Sequence, residues 1–486
     1  MSLHVDPFRA GPLSGYLAPL THEPDLAAFA AGRLNRPLMW LDSARHHPVI
    51  GRWSLLGCDP WLTLTCRGST AEVRTSAATQ QWRSHPLEAL QDVLRRYAPA
   101  RGLGVAGRAV GLMGFLSYEL NRWIERLPAP RSQEPAGLPD MRWYGMCLAI
   151  LVDHADHRSW VVSLADPHAP AAAARREARE TLERALSKLT APAAVSSGAA
   201  SWSNLRHTST QPEFEAMVRR ALAYIRAGDI FQANLSQRFT ASWRGSAFPL
   251  YQTLRRINPS PFACFLSSEE LSVVSCSPER LVRVQEGRVD TRPIAGTRPR
   301  GVTPEDDALK SLELLLSEKE RAEHVMLVDL ARNDLGRVCA SGSVDVTELM
   351  TLEAYSHVHH IVSDVSGRLR RNTGAVDVIR AVFPGGTITG CPKVRCMQIL
   401  RELEPVARGL YTGSLGYLGF DGTTNLNIAI RTMTIQQEQL SFHVGAGIVA
   451  DSDPEREYHE TLAKAAALRA ALDALAEPDS VHAAAR

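Results

Sequence analysis

A chain of 486 residues that is 45% hydrophobic and 22% charged is long enough for two or three domains' worth of core and has the balance of a soluble globular protein. Its formal net charge of +2 comes with no long basic block, which excludes any composition-based case for nucleic acid or a membrane surface as partner. No apolar run approaches the ~20 residues that span a bilayer, and "MSLHVDPFRAGPLSG" has acid and proline where a signal peptide has an apolar region. The eight cysteines show no CxxC and no metal-ligand spacing. Most sit in apolar surroundings, as Cys147 does in "YGMCLAILV", so they read as reduced, buried thiols of a cytoplasmic protein.

In chain order, "WLTLTCRG", "GLMGFLSYEL", "WYGMCLAILVD" and "SWVVSLAD" predict strands of an N-terminal region, 1–188. The segment 166–203 starts as an Ala/Arg/Glu helix and ends in "TAPAAVSSGAAS", which predicts a linker over 189–205. A second region, 206–475, follows, with a tail at 476–486. It opens on a capping box, Thr210 with Glu213, and a helix to about Ala227 that Gly228 stops. In "IFQANLSQRF", Phe231, Ala233, Leu235 and Phe239 take one parity and Gln232, Asn234, Ser236 and Arg238 the other. That is a strand with one apolar and one hydrogen-bonding face.

Next comes "DTRPIAGTRPRG" (290–301), a rigid cationic turn with the inert Ala295 at its centre. In "SEKERAEHVMLVDLARND", Glu320 and Glu323 fall at i and i+3 on one helix face. "SHVHHIVSDV" reads as a strand, so His359 and His360 face opposite ways and only one can serve a given site. "FPGGTITGCPKVRCMQIL" is a glycine turn (Gly385, Gly386, Gly390) with a helix beginning near Pro392, suited to a carboxylate or small oxyanion. It lacks the Gly-Lys-[Ser/Thr] of a triphosphate loop. Arg431, in "LNIAIRTMT", is a cation in an apolar strand and needs an anionic partner. "HVGAGIVADS" runs through Gly445 and Gly447 into a helix started by Ser452, Pro454 and Glu455, which carries Glu457, Glu460 and, at i+4, Lys464. Four carboxylates meeting across two helices would repel unless a divalent cation joined them, and hard oxygen ligands suit Mg²⁺. Taken singly, each motif has an ordinary alternative: a solvated Glu-x-x-Glu face, a Glu–Lys helix pair, a turn and cap.

Their order is specific. The series "FQANLSQRF", "SPERL", "RPIAGTRPRG", "ERAEHVMLVDLARND", "HHIVSDV", "FPGGTITGCPKVR", "YTGSLGYLGF", "IAIRT" and "GAGIVADSDPEREYHET" resembles the chorismate-utilising enzymes over about 206–475. The N-terminal half resembles them more loosely, through "LDSA…GRWSLLGCDP" and "GLMGFLSYEL". The resemblance implies an α+β fold, a large antiparallel β-sandwich core flanked by helices. It implies chorismate as substrate and Mg²⁺ held by Glu323 and Glu460, with Glu320 and Glu457 acting through water. Tyr411, Arg431 and the Gly445 and Gly447 backbone would hold the enolpyruvyl carboxylate, with Lys464 nearby. Glu279 would be the general acid for the C4 hydroxyl and His360 would lie against the ring. Ala295, Gly296, Thr297 and Thr389 would complete the pocket.

The resemblance also bears on the nucleophile. Cousins that add water to chorismate carry a Lys base where this chain has Gln232, so ammonia is implied, supplied by a separate glutamine amidotransferase subunit. Ala295 and the "GAG" at 445–447 are similar to the anthranilate-forming subunits, which aminate C2. Asn234, "FPGGTITGCPKVR", "TGSLGYLGF" and "NLNIAIRT" are similar to the aminodeoxychorismate-forming subunits, which aminate C4 and often use a lysine at the position of Ala295. By count the chain is more similar to the latter. "WLDSA" departs from the Leu-Glu-Ser usual at the tryptophan feedback site.

Overall fold

The computed structural model describes residues 5–45, 50–98, 103–128, 138–190, 200–354 and 358–476, with backbone only at Thr190, Thr297 and Ala476. The 476–486 tail lies outside the described residues apart from its first.

Two long strands, Trp53–Arg67 and Met141–Asp153, pair antiparallel along their length and organise the rest. At one end their outer neighbours are Leu38–Asp42 and Arg158–Leu164. At the other they are Thr70–Thr75 and Gly111–Leu116. The change falls at a register shift after Pro60, where Asp59 takes a positive φ of 57°. A bulge with a proline that cannot donate to the ladder bends the pair, so each long strand serves two layers.

From Leu38–Asp42 the first layer continues through Phe262–Ser267, Ser272–Ser277, Thr432–Gln436, Gln439–Ile448 and Gln232–Gly245. From Gly111–Leu116 the second continues through Ser414–Gly419, Thr424–Asn427, Arg280–Gln285, Arg288–Thr291 and Val358–Arg368. Val358–Arg368 also pairs with Ile294–Pro299 and Asp345–Ala354. All these ladders are antiparallel. Met39, Cys264 and Val273 of one layer cluster with Met113, Phe115 and Leu415 of the other, which is the core between the sheets. Their alternate neighbours, such as Trp40 and Phe265, pack outward under helices that include Phe248–Ile257 and Pro454–Ala476. The second layer's outer face lies under helices that include Pro86–Arg96 and Ala375–Val382. The expected antiparallel sandwich flanked by helices is therefore present, and burial on both faces explains the nearly unbroken apolar runs.

Three readings change. Residues 200–205, placed in the linker from sequence, begin the strand Ala200–His207, which pairs with Gln232–Gly245; 191–199 lie outside the described residues. Small residues had read as linker, but Trp202 gives the segment an anchor by donating to the Leu472 carbonyl at 2.7 Å. The helix Pro454–Ala476 is capped by Asp453, whose Oδ1 accepts from the Arg456 N–H at 3.0 Å. Ser452 instead donates its hydroxyl to Glu457 at 2.6 Å. Finally, Arg431 is not inside a strand: it occupies the break between Thr424–Asn427 and Thr432–Gln436 with φ +50°.

That break positions the site. The chain passes from the first layer to the second at Pro278–Glu279 and returns at 428–431. The crossings lie side by side, the Ile428 N–H donating to the Glu279 carbonyl at 3.0 Å and the Cys276 N–H to the Arg431 carbonyl at 3.1 Å.

Candidate active site

The floor of the site is a pair of strands in which polar side chains face glycines. Asn234 lies opposite Gly447 and Ser236 opposite Gly445. A Cβ at Gly445 would stand 2.5 Å from Asn234 Oδ1 and 2.8 Å from the Tyr411 hydroxyl, and one at Gly447 would stand 2.6 Å from Gln232 Nε2. Space requires glycine at Gly445, where the Leu235 carbonyl also stands at 2.8 Å, whereas at Gly447 a Cβ would displace the end of the Gln232 side chain. Gln232 donates to Glu323 Oε1 at 2.7 Å. The remaining amide oxygens, Gln232 Oε1 and Asn234 Oδ1, are buried without a hydrogen bond from any of the described residues.

At the crossing, Glu279 is 5% exposed. Burial pushes its carboxyl up to about 7 against the opposing pull of Thr387, the Ile294 N–H and Arg431. Thr387 donates to its Oε1 at 2.8 Å. Thr389, the threonine expected in the pocket, is fully buried with its hydroxyl on the Gly385 carbonyl at 2.7 Å, so it shapes the turn while Thr387 reaches the carboxylate. The motif contained both; only the fold reveals which parity faces Glu279.

The loop around Ala295 is a bulge. Ala295 pairs with Ile361 and Thr297 with His360, leaving Gly296 as the extra residue at φ +67°. Its carbonyl lies 3.1 Å from His360 Nδ1, an arrangement in which Nδ1–H donates. Burial pulls the His360 imidazole down to about 4, so it is neutral at pH 7. Ala295 is buried at 8% exposure, and the Thr297 side chain lies outside the described residues. His359, on the opposite face, pairs with Asp307 at 2.8 Å, away from His360 as the strand reading required.

Across the floor stand the carboxylates. Glu323 is pushed up by burial and then by Glu320, and Glu457 by burial, with Glu460 adding to it. Lys319 and Lys464 act electrostatically on both. Glu320 is tied to Arg298 at 3.0 Å and Glu460 to Lys464 at 2.7 Å. Lys464 also donates to the Gly445 carbonyl at 3.0 Å, which joins this helix to the floor. Tyr411 is buried, its phenol pushed above its usual value by burial, and it stacks on His443 with centroids 5.2 Å apart.

The fold thus gathers Gln232, Asn234, Tyr411 and Glu323 about the two glycines, with Glu279 and Arg431 at the layer crossing. The description of the chorismate binding enzyme family matches residues 40–470. The chain belongs to the chorismate binding enzymes. It is 42% identical to an anthranilate synthase component 1 from Synechocystis, over 90% of each chain. It is 38% identical to an aminodeoxychorismate synthase component 1 from Bacillus subtilis, over 90% of this chain and 94% of that one. The crystal structure of anthranilate synthase component I from Streptococcus pneumoniae TIGR4 superposes with a TM-score of 0.77 at 34% identity, covering 87% of this chain and 93% of that one.

In this chorismate binding enzyme the proposed metal ligands fit a cation in part. Among the described residues no three His, Cys, Asp or Glu side chains converge as a formed metal site. Yet Glu457 Oε2 is buried with no hydrogen-bond partner, and the neighbouring charges leave Glu323 and Glu457 short of positive compensation. The buried, under-neutralised pair is thus Glu323 with Glu457, whereas Glu460, expected as a principal ligand, has a half-exposed side chain paired with Lys464. No helix among the described residues is long and apolar enough to cross a membrane.

Proposed function

We propose that this chain is the chorismate-aminating subunit of an aminodeoxychorismate synthase, replacing the C4 hydroxyl of chorismate with an amino group from ammonia. The observation that carries the amination is the pair of unpartnered buried amide oxygens, Gln232 Oε1 and Asn234 Oδ1. An unpaired buried acceptor costs free energy until a donor arrives, and ammonia brings three N–H groups. The side chain at this strand position, Gln232, is an amide that takes no proton from water, and its N–H group already donates to Glu323. Asn234 also carries the choice of C4, being the residue shared with aminodeoxychorismate-forming subunits.

Arg431 and the Gly445–Gly447 backbone hold the carboxylate of the enolpyruvyl group, with Tyr411 donating its hydroxyl. Glu279, half protonated near neutral pH, gives its proton to the departing C4 oxygen, which leaves as water. Thr387, the Ile294 N–H and Arg431 then stabilise the carboxylate left behind. Ammonia forms the C–N bond as the C–O bond breaks, and the proton its nitrogen gives up restores the one lost by Glu279, so the net loss is one water. Mg²⁺, held by Glu323 and Glu457 with Glu320 and Glu460 beside them, would neutralise the ring carboxylate. Ammonia would reach the site from a separate glutamine amidotransferase subunit.

Incubating the protein with chorismate, Mg²⁺ and ammonium at alkaline pH, then adding aminodeoxychorismate lyase, should yield 4-aminobenzoate. Fluorescent anthranilate formed without the lyase overturns the C4 assignment. Ala295 favours that second reading, because its buried methyl leaves C2 open to direct attack where a lysine would occupy it.

A further inference from the structure

We propose that a cavity of about 410 Å³ behind Tyr411 is a second binding site, for a small oxyanion bearing a carboxylate or a phosphate. Its lining includes Arg238, Arg408, Thr434, Gln439, Ser441 and His443. The volume is within the range of small-molecule sites.

The charge balance of this cavity is the argument. Arg408 is fully employed: it holds Glu404 at 2.7 and 2.9 Å and donates to the Ile388 carbonyl at 3.0 Å. Arg238 has no such partner among the described residues. Its Nε is buried without an acceptor, and no Asp or Glu lines the cavity among the described residues. Desolvation alone, with no compensating carboxylate, lowers its guanidinium. His443, 5% exposed, also lines the cavity, and its Nδ1 is buried without a partner among the described residues. Burial holds its ring neutral, so it adds a donor or acceptor and no charge. A half-buried guanidinium beside hydroxyls and an imidazole, with no anion of its own, is an incomplete ion pair. An oxyanion completes it.

The cavity is distinct from the chorismate pocket but adjoins it. Arg238 lies opposite His443, and Thr434 opposite Ser441, on the sheet that two and four residues further along carries Gly445 and Gly447. Tyr411 separates the spaces: its ring stacks on His443 at an interplanar angle of 11° while its hydroxyl points at Gly445. The inference holds whichever ring carbon is aminated.

Calorimetric titration of the full chain with inorganic phosphate, and separately with malonate, at constant ionic strength tests it. An Arg431→Gln background removes anion binding in the chorismate pocket and should leave one saturable site. In that background Arg238→Gln should weaken binding about tenfold or more, and Arg238→Lys should restore part of it. Ser441→Ala, which keeps the charge, should cost less than Arg238→Gln and serves if that variant fails to fold. Whether phosphate or malonate binds more tightly identifies the ligand's acidic group. Saturable binding that ignores both Arg238 and Ser441 overturns the proposal, as does the absence of saturable binding of either anion.

Discussion

A carboxyl whose folded value is about 7 against an ordinary 4.5 ties activity and stability to the same proton. As proton donor, Glu279 is competent below about 7, so kcat/KM for chorismate should fall as pH rises through that value. The stability argument follows the same direction. Between 4.5 and 7 the folded chain holds a proton that the unfolded chain has released, so stability declines as pH rises across that window. Glu279→Gln should therefore lose turnover by about two to four orders of magnitude while retaining chorismate binding. At pH 8 it should also melt above the wild type, by up to roughly 3 kcal/mol, with the difference closing towards pH 4.5. Product assays and melting curves across pH check both halves. The Glu279 type and place were legible in "SPERL"; its burial was not, because the segments that meet it, bringing the Thr387 hydroxyl and the Ile294 N–H, are distant in the chain and only the fold assembles them. Glu323 was likewise legible as a metal candidate. Magnesium should raise the melting temperature of the wild type and leave that of Glu323→Gln unmoved, and equal shifts in both would remove Glu323 from the ligand set.

At the scale of elements, the glycine floor makes the sharpest demand. Gly445→Ala would place a methyl 2.5 Å from Asn234 Oδ1 and 2.8 Å from the Leu235 carbonyl, one a side chain and the other backbone. Chorismate binding should weaken by about tenfold or more while stability falls by about 1–3 kcal/mol, seen together in a ligand titration and a melting curve. Gly447→Ala meets chiefly the Gln232 amide, a side chain that can turn aside, so its stability cost should be smaller. Period-two patterning revealed this strand and its polar face in the sequence. It could not show that both faces are buried, since the covering layers come from distant segments. Two of the three changed readings share that cause. A Ser-Asp-Pro-Glu run offers two caps, and Ser452 goes to Glu457 because that carboxylate is buried within reach. Arg431 looks like a strand residue in "IAIRT" because a strand and a layer crossing share the same apolar composition. Only the pairing of Cys276 with the Arg431 carbonyl distinguishes them.

The whole molecule contradicts the simplest picture of an N-terminal region packed beside a self-sufficient catalytic one. Leu38–Asp42 is hydrogen-bonded to Phe262–Ser267, and Gly111–Leu116 to Ser414–Gly419, so each layer of the sandwich is completed by strands from both halves of the chain. Removing the first half would bare two long antiparallel edges and strip the inter-layer core of Met39, Leu55, Met113 and Phe115. Exposed edges above an opened apolar core favour aggregation over folding. A fragment of residues 200–476 expressed alone should therefore be insoluble or lack a cooperative melting transition, although it carries every residue of the candidate site. Residues 1–199 supplied as a separate chain should restore solubility and chorismate-dependent activity, because the lost contacts are hydrogen bonds and packing that need no covalent link. Co-purification of the two pieces with a single melting transition is the expected result. A soluble, active fragment of 200–476 on its own would show that the shared sheet is dispensable and that the site is held by the helices and crossings alone.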